Sequence, residues 1–418
     1  MKITIKKALF QRMLSRVQGF TEKRVTLPIL SHILIETYDE SVTGKKGIKI
    51  KATDLHISIQ MKTECTVMEE GACALSAKGL SDMIRELPDA DLFMQTEENT
   101  RVKITVGNYM FNLNIMDPEE YPMIEFSDLS LSAKGGDKDV FSIDPLVLKS
   151  MIDRTIFSIP TPSEEESKYA LGGALLVSHT DEKEKSATGG KANYIEMVTT
   201  DGRRLSLARH KIQEAIDMKD GIIIPRKGLH ELKRLIDTTP VVSAIDDGTD
   251  KSLSAKGGAE ILLTRDSIYF KSSDTIATVR LIDGEFPDYS SVIDLEEYPI
   301  YTKIYAPKLL SALKVCSTIV SEVSNSAKFD FKRDTTVVYA NNPEQGDVEI
   351  PIESEHHGDA IGVSFNPRYL IECLSMIDGD AIIRLVNEEG PCLIMACPPE
   401  TDFDSPPEAE WVIMPMRF

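Results

Sequence analysis

The chain has 418 residues, 42% hydrophobic and 27% charged, enough apolar material for two to four domains with cores of their own. It contains no run of 18 apolar residues, so no transmembrane helix is expected, and its opening MKITIKKALF lacks the apolar stretch and cleavage site of a secretory signal. A formal net charge of −20 argues against nucleic acid when read as a sum.

Placement of the charges tells more than their sum. Residues 1–21 hold Lys2, Lys6, Lys7, Arg12 and Arg16 and no acid. The acids gather in loop-like stretches: DPEEY (117–121), SEEES (163–167), LEEY (295–298) and PETDFDSPPEAE (399–410). One basic face and an acidic exterior are compatible in a single chain. Six cysteines (Cys65, Cys73, Cys316, Cys373, Cys392, Cys397) form no CxxC pair and stand near no histidine at ligand spacing. They are expected to be buried thiols in a reducing cytoplasm.

In chain order, the first predicted helix is KKALFQRMLSRV (6–17). Alternating strands such as GIKIKATD follow, then a helix in SAKGLSDMIREL and the strands of RVKITVGNYMFNLNIM. The same succession begins again with the helix DPLVLKSMIDRTI (144–156), continues to the helix in PRKGLHELKRLI, and ends in SIYFKSSDTIATVRLI. A third round opens with APKLLSALKVCSTIV (306–320), passes through NPRYLIECLSMI, and ends with AIIRLVNEEGPCLIMA and EWVIMPMRF. The stretches 179–193 and 246–258 read as long hairpin loops, and polar segments at 123–138 and 290–300 separate the rounds.

Two markers keep register through the three rounds. Thr53-Asp54, Thr200-Asp201 and Asn341-Asn342 each precede an alternating stretch, 147 and 141 residues apart. The basic residue that opens the second helix follows at 24, 26 and 26 residues, as Lys78, Lys227 and Arg368. The pentapeptide LSAKG also occurs three times, from Leu75, Leu131 and Leu253, but its spacings of 56 and 122 mark coincidental composition. The expected fold is therefore α+β: three tandem similar domains at 1–128, 137–292 and 298–418, each with two helices and about eight antiparallel strands. The tail EWVIMPMRF becomes the closing strand of the third domain, with Val412 and Ile413 paired in a sheet. That role leaves Met414 to Phe418 without a purpose.

The blocks RVTLPIL, TTDGRRL, IPRKG, DGEFPDY, NNPEQ and VIMPMR, in this order over the whole chain, resemble the bacterial DNA polymerase III β subunit family, the sliding clamps. The resemblance implies the DNA clamp fold. Two chains would form a head-to-tail homodimeric ring around duplex DNA, with helices inside and sheets outside. The expected partners are double-stranded DNA bound without sequence preference, the polymerase III α subunit, the clamp loader, and other polymerases and repair proteins that dock through short peptides. It implies no cofactor, no metal, no catalytic residue, no membrane, and a cytoplasmic location. A ring that slides needs diffuse contacts to phosphate rather than base readout.

Carried over by motif, the resemblance implies a peptide pocket. KYALGG supplies Leu171, and TTDGRRL supplies Thr200, Gly202, Arg203, Arg204 and Leu205. FPDYSSV supplies Pro287, Ser291 and Val292, while FNPRY supplies Asn366 and Tyr369. GPCLI supplies Pro391, and the tail supplies Val412, Ile413, Met414, Pro415, Met416 and Arg417. Methionine suits a surface that accepts differing peptides. DNA contacts are implied at Arg24, Lys78, Tyr169, Arg226 and Lys227, although the loop before Tyr169 holds Glu164–Glu166 in a row, which repels phosphate. The dimer contact is implied at Phe111, Ile319 and Val320. The bland alternative makes the apolar members of these sets ordinary core. A metal-dependent nuclease reading would use Asp201, Glu285 and Asp288 or His356-His357, but HExxH, GxSxG and Walker motifs are all missing from the sequence. A structural repeat scaffold unconnected to DNA is the third reading.

Overall fold

A computed structural model describes residues 1–22, 27–40, 44–97, 100–124, 126, 141–161, 171–185, 191–212, 218, 220–239, 259–294, 298–320, 325–398 and 407–416, with the side chains of 181–185 and 191 excepted. Six α-helices lie among the described residues: α1 (Lys7–Val17), α2 (Ala77–Glu86), α3 (Pro145–Thr155), α4 (Arg226–Thr238), α5 (Ala306–Ile319) and α6 (Pro367–Leu374). Each round of the sequence runs strand, helix, strands, helix, three strands.

Local chemistry explains the helix starts. Ser76 caps α2 by accepting from the Gly79 N–H at 3.4 Å, and Leu80 and Ile84 face inward one turn apart. Asn366 caps α6 by accepting from the Arg368 N–H at 3.0 Å, with Pro367 at the first helical position. The first LSAKG copy is thus a strand end and helix cap, whereas the other two lie outside the described residues.

The chain divides into two compact units. One holds Met1–Lys149 and Lys227–Leu281; the other holds Ser150–Arg226 and Ile282–Phe418. In the first unit, one five-stranded sheet runs in the order 66–69, 2–6, 91–97, 101–106, 109–114. Its eight-stranded sheet runs 141–143, 260–263, 267–271, 275–280, 57–64, 45–53, 32–40, 72–76. In the second unit, a twelve-stranded sheet runs 222–225, 173–185, 191–200, 204–212, 409–413, 392–396, 380–385, 300–305, 346–357, 335–342, 327–332, 361–365. All pairs are antiparallel.

The stretch 179–193, expected as a hairpin loop, is mostly ladder. Strands Gly173–Lys185 and Lys191–Thr200 carry pairing out to Asp181↔Ala192 and Lys185↔Lys191. Polar residues persist in a strand when a neighbour satisfies every second backbone group. The other expected loop, 246–258, lies outside the described residues.

The tail resolves into Ala409–Ile413, a central strand between 204–212 and 392–396. Both its faces are buried. Trp411 and Ile413 join the core under α5 and α6 with Phe329, Phe331 and Leu370. Val412 points the other way, into a cluster with Leu205, Leu393 and Tyr298. The Trp411 indole N–H donates to the Arg154 carbonyl at 2.9 Å.

Candidate partner-binding site

The site is built on the turn Thr200-Asp201-Gly202-Arg203-Arg204. The Thr200 hydroxyl donates to the Arg204 carbonyl at 2.6 Å and accepts from the Gly202 N–H at 3.0 Å. Asp201 Oδ1 accepts from the amides of Arg203 and Arg204 at 2.8 and 3.0 Å. Gly202 takes φ +85°, the left-handed region that glycine adopts without steric cost. Thr and Asp are the side chains that fold such a turn onto itself.

Arg204 leaves this turn fully committed. Its guanidinium bonds to Asp201 Oδ2 at 3.0 Å, to Glu372 and to the Phe157 carbonyl. The Tyr369 ring lies under it at 4.2 Å and Phe157 at 5.8 Å. Arg204 therefore shapes the surface rather than offering a free charge. Two expected pocket members, Arg204 and Tyr369, meet directly, and Asn366 sits at the start of the same short helix.

Leu205, Val292 and Val412 meet in one apolar cluster on the opposite face of the sheet. Pro287 and Ser291 lie exposed on the loop leading to Val292. Asp288 in that loop accepts from the Ser290 amide and hydroxyl, which holds its carboxyl below the usual range. Leu171 is buried just before strand 173–185, and the register Leu175↔Val198, carried on along the strand, brings it level with Gly202. Pro391 precedes Cys392, the residue paired with Ile413. Met414 is 42% exposed, and Pro415 and Met416 are half-buried. Arg417 lies outside the described residues.

The tail's backbone has a role the sequence did not reveal. The Met414 N–H donates to the Arg203 carbonyl at 2.9 Å, and the Met416 N–H to the Ser364 carbonyl at 2.7 Å. The second round makes the same two bonds, Arg280 N–H to His56 and Ile282 N–H to Ile223. Met414 and Met416 are therefore stitched into the fold by their amides. The strand itself ends at Ile413, as expected, and the amides of Met414 and Met416 add two bonds beyond it, leaving their side chains for another purpose.

A second feature escaped the sequence reading. Arg209 bonds Glu196 at 2.6 Å and Glu410 at 2.5 Å, and Tyr289 donates to Glu196 at 3.4 Å. Burial works against the charge on Arg209, but Glu410 and Glu196 outweigh it and raise its pKa. Burial raises the Glu410 carboxyl, and Arg209 opposes the rise. The signal was available as one charge inside each of three apolar strands, YIEMV, LSLAR and EWVIM.

The expected DNA and dimer residues separate by what already holds them. Lys78 stands exposed on the first turn of α2. Arg226 donates to the Ile159 and Pro160 carbonyls at 3.1 and 2.6 Å, and Lys227 holds Asp54 and the Thr21 carbonyl. Arg24 and Tyr169 lie outside the described residues. Phe111 is half-buried on strand Tyr109–Asn114. Ile319 ends α5, while Val320 turns out of the helix, at ψ 128°, and packs on the core of its own round.

A chain of three similar rounds, with helices and antiparallel sheets in one fixed order, has the architecture of the DNA clamps. Family profiles agree. Residues 1–125 match the N-terminal domain of the DNA polymerase III beta subunit, 142–288 its central domain and 297–417 its C-terminal domain. The chain belongs to the DNA polymerase III beta subunit family. Among relatives, the beta sliding clamp of Chlamydia pneumoniae is 27% identical over 100% of this chain and 99% of its own, and that of Caulobacter vibrioides 29% over the full length of both. A Bartonella birtlesii DnaN sliding clamp, solved with griselimycin, covers both chains fully at 25% identity and TM-score 0.80.

Proposed function

We propose that this chain is a sliding clamp that closes as a head-to-tail homodimer around duplex DNA and tethers the replicative polymerase and repair proteins through short peptides. The clamp function follows from the family and its relatives. The closed dimer rests on one observation about strand edges. The closing strand of the second round, 275–280, pairs with 57–64 of the first; that of the third, 409–413, pairs with 204–212 of the second. The closing strand of the first, 109–114, pairs only with 101–106 among the described residues, leaving its outer edge open. Among the described residues, the matching strand of the third round, 346–357, pairs through its first residues with 335–342 alone. An open row of amides and carbonyls is a template for another chain.

The repeat also gives the register. Met116, Ile282 and Met416 make equivalent amide bonds, to Ala74, Ile223 and Ser364. Transferring Val279↔Ile57 and Ile413↔Arg204 to the third such joint sets Phe111 of one chain opposite Asp347 of the other, and Met110 opposite Val348. The paired variants Met110→Cys with Val348→Cys and Phe111→Cys with Asp347→Cys test it. At least one pair should cross-link two chains under mild oxidation, while pairs displaced by one residue should not. Cross-linking only in a displaced pair rejects the register, and a monomer in sedimentation rejects the ring.

The peptide site is assigned to the exposed Met414, the half-buried Pro415 and Met416, and the surface formed by Leu171, the 200–205 turn, Pro287 and Val292. DNA contact is assigned to Lys78 and to the acid-free helices α1 and α5. No chemistry is assigned. Asp201 is occupied by its turn and Arg204, and His356 is buried between Thr302 and the Asp359 carbonyl. Magnesium-dependent cleavage of DNA would overturn that part. A cytoplasmic location follows from the replication role.

A further inference from the structure

The turn at the peptide site has a twin in the first unit. Thr53-Asp54-Leu55-His56-Ile57 repeats the four bonds by which the Thr and Asp side chains close Thr200-Asp201-Gly202-Arg203-Arg204. Leu55 N–H donates to Thr53 Oγ1 at 2.9 Å, and Asp54 Oδ1 accepts from His56 and Ile57 at 2.9 and 2.7 Å. The Thr53 hydroxyl donates to the Ile57 carbonyl at 3.0 Å. Strand registers make Leu30 the counterpart of Leu171. Beside the twin turn lies an open cavity of about 370 Å³, lined by Glu22, Leu27, Leu30, Asp54, Leu55, His56 and Lys227.

One difference is telling. Where the second turn has glycine in the left-handed region, the first holds Leu55 there, at φ +76°. A leucine strained into that region, with 54% of its surface in solvent, gains nothing for the fold. It faces the same cavity as Leu27, itself 50% exposed. The polar lining has two carboxylates, Glu22 and Asp54, against one ammonium, Lys227, which Asp54 already holds, and the imidazole of His56.

We infer that this cavity is a second peptide-docking site, taking a linear segment of a partner protein with a leucine side chain seated between Leu27 and Leu55 and an adjacent lysine or arginine on Glu22. The surplus carboxylate selects a basic segment and disfavours nucleic acid. The volume suits one or two side chains and their backbone. The inference rests on the tail surface being a peptide site, since it takes the turn there as its template.

Fluorescence anisotropy with labelled Ala-Leu-Lys-Leu-Lys, and with Ala-Leu-Glu-Leu-Glu as its charge-reversed partner, tests it on the full-length protein. The lysine peptide should bind and the glutamate peptide should bind at least tenfold more weakly. Leu55→Gly should weaken the lysine peptide tenfold or more while the melting temperature holds or rises, because glycine relieves the strained φ. A residue of merely structural value would lower both. Glu22→Lys keeps both leucines and should reverse the preference between the peptides. Met414→Ala, at the tail, should leave the lysine peptide unchanged and weaken a polymerase-type peptide, so failure of either site is read separately. Equal binding of the two peptides, indifference to Leu55→Gly, or displacement of the lysine peptide by duplex DNA would overturn the proposal.

Discussion

At the scale of single residues, commitment matters more than type. Arg204 looked in the sequence like a cation for a partner, but three acceptors and two rings hold it. Arg204→Ala leaves Asp201 and Glu372 facing each other beside aromatic surface and should cost about 3 kcal/mol in urea unfolding. Arg204→Lys loses the planar fork and should fall between. A variant within about 0.5 kcal/mol of wild type would make this cluster incidental. Arg16 and Arg234 are tied across two helices: Arg16 donates to the Thr238 carbonyl, and Arg234 to the carbonyls of Ser15 and Arg16. Each thus serves the last turn of the other's helix. Of the six thiols expected to be buried, Cys73, Cys316, Cys373 and Cys392 are, while Cys65 and Cys397 are partly exposed. Burial pushes Cys73 and Cys373 from 9.0 up to about 12. The unfolded chain loses these protons first, so their stability is complete below pH 9 and falls as pH rises toward 12. One unit above pH 9, each costs on the order of 1 kcal/mol. The double variant Cys73→Ala, Cys373→Ala should flatten the decline of melting temperature between pH 8.5 and 10.5. An unchanged slope would place the cause elsewhere.

At the scale of elements, the tail gives its amides to the fold, and under the proposed function its side chains to a partner. Deleting Met416–Phe418 removes the Met416 amide bond to Ser364, a loss of about 1 kcal/mol. The truncated chain should still fold and dimerise, yet bind a polymerase-derived peptide at least tenfold more weakly in calorimetric titration. Unchanged affinity would return the tail to simple core structure. The element order was legible because each round restates it: turn markers, helix-opening cations and alternating strands recur at nearly constant spacing. Strand neighbours were not legible. A period of two says which residues share a face, not which edge meets which. Nothing in TIATVR or AEWVI names its partner across the joint. The engagement of Arg226 and Lys227 was hidden for the same reason, since their acceptors lie more than 60 residues away in sequence.

At the scale of the molecule, encirclement predicts topology-dependent binding. With a net charge of −20, direct affinity for DNA should be weak and should fall with salt. Once loaded, the protein should persist on nicked circular DNA and leave linear DNA through its ends. Equal retention on both would argue against a ring. Ile319→Asp tests the chain-to-chain contact more cleanly than a change at Val320, which would strike the core of its own round.

The sharing of sheets between rounds also bears on how such a chain can be taken apart. The closing strand 275–280 covers the edge of 57–64. A fragment ending at residue 125 would lose that cover while keeping its own closing strand 109–114. It would then carry a plug and an empty socket of the same gauge. Joined end to end, such pieces form a polar series with no built-in stopping number, closing or growing as the joint angle dictates. The isolated first round should therefore self-assemble into oligomers of mixed size, with light scattering rising with concentration. A strictly monomeric fragment would mean that the joint needs more than its strands.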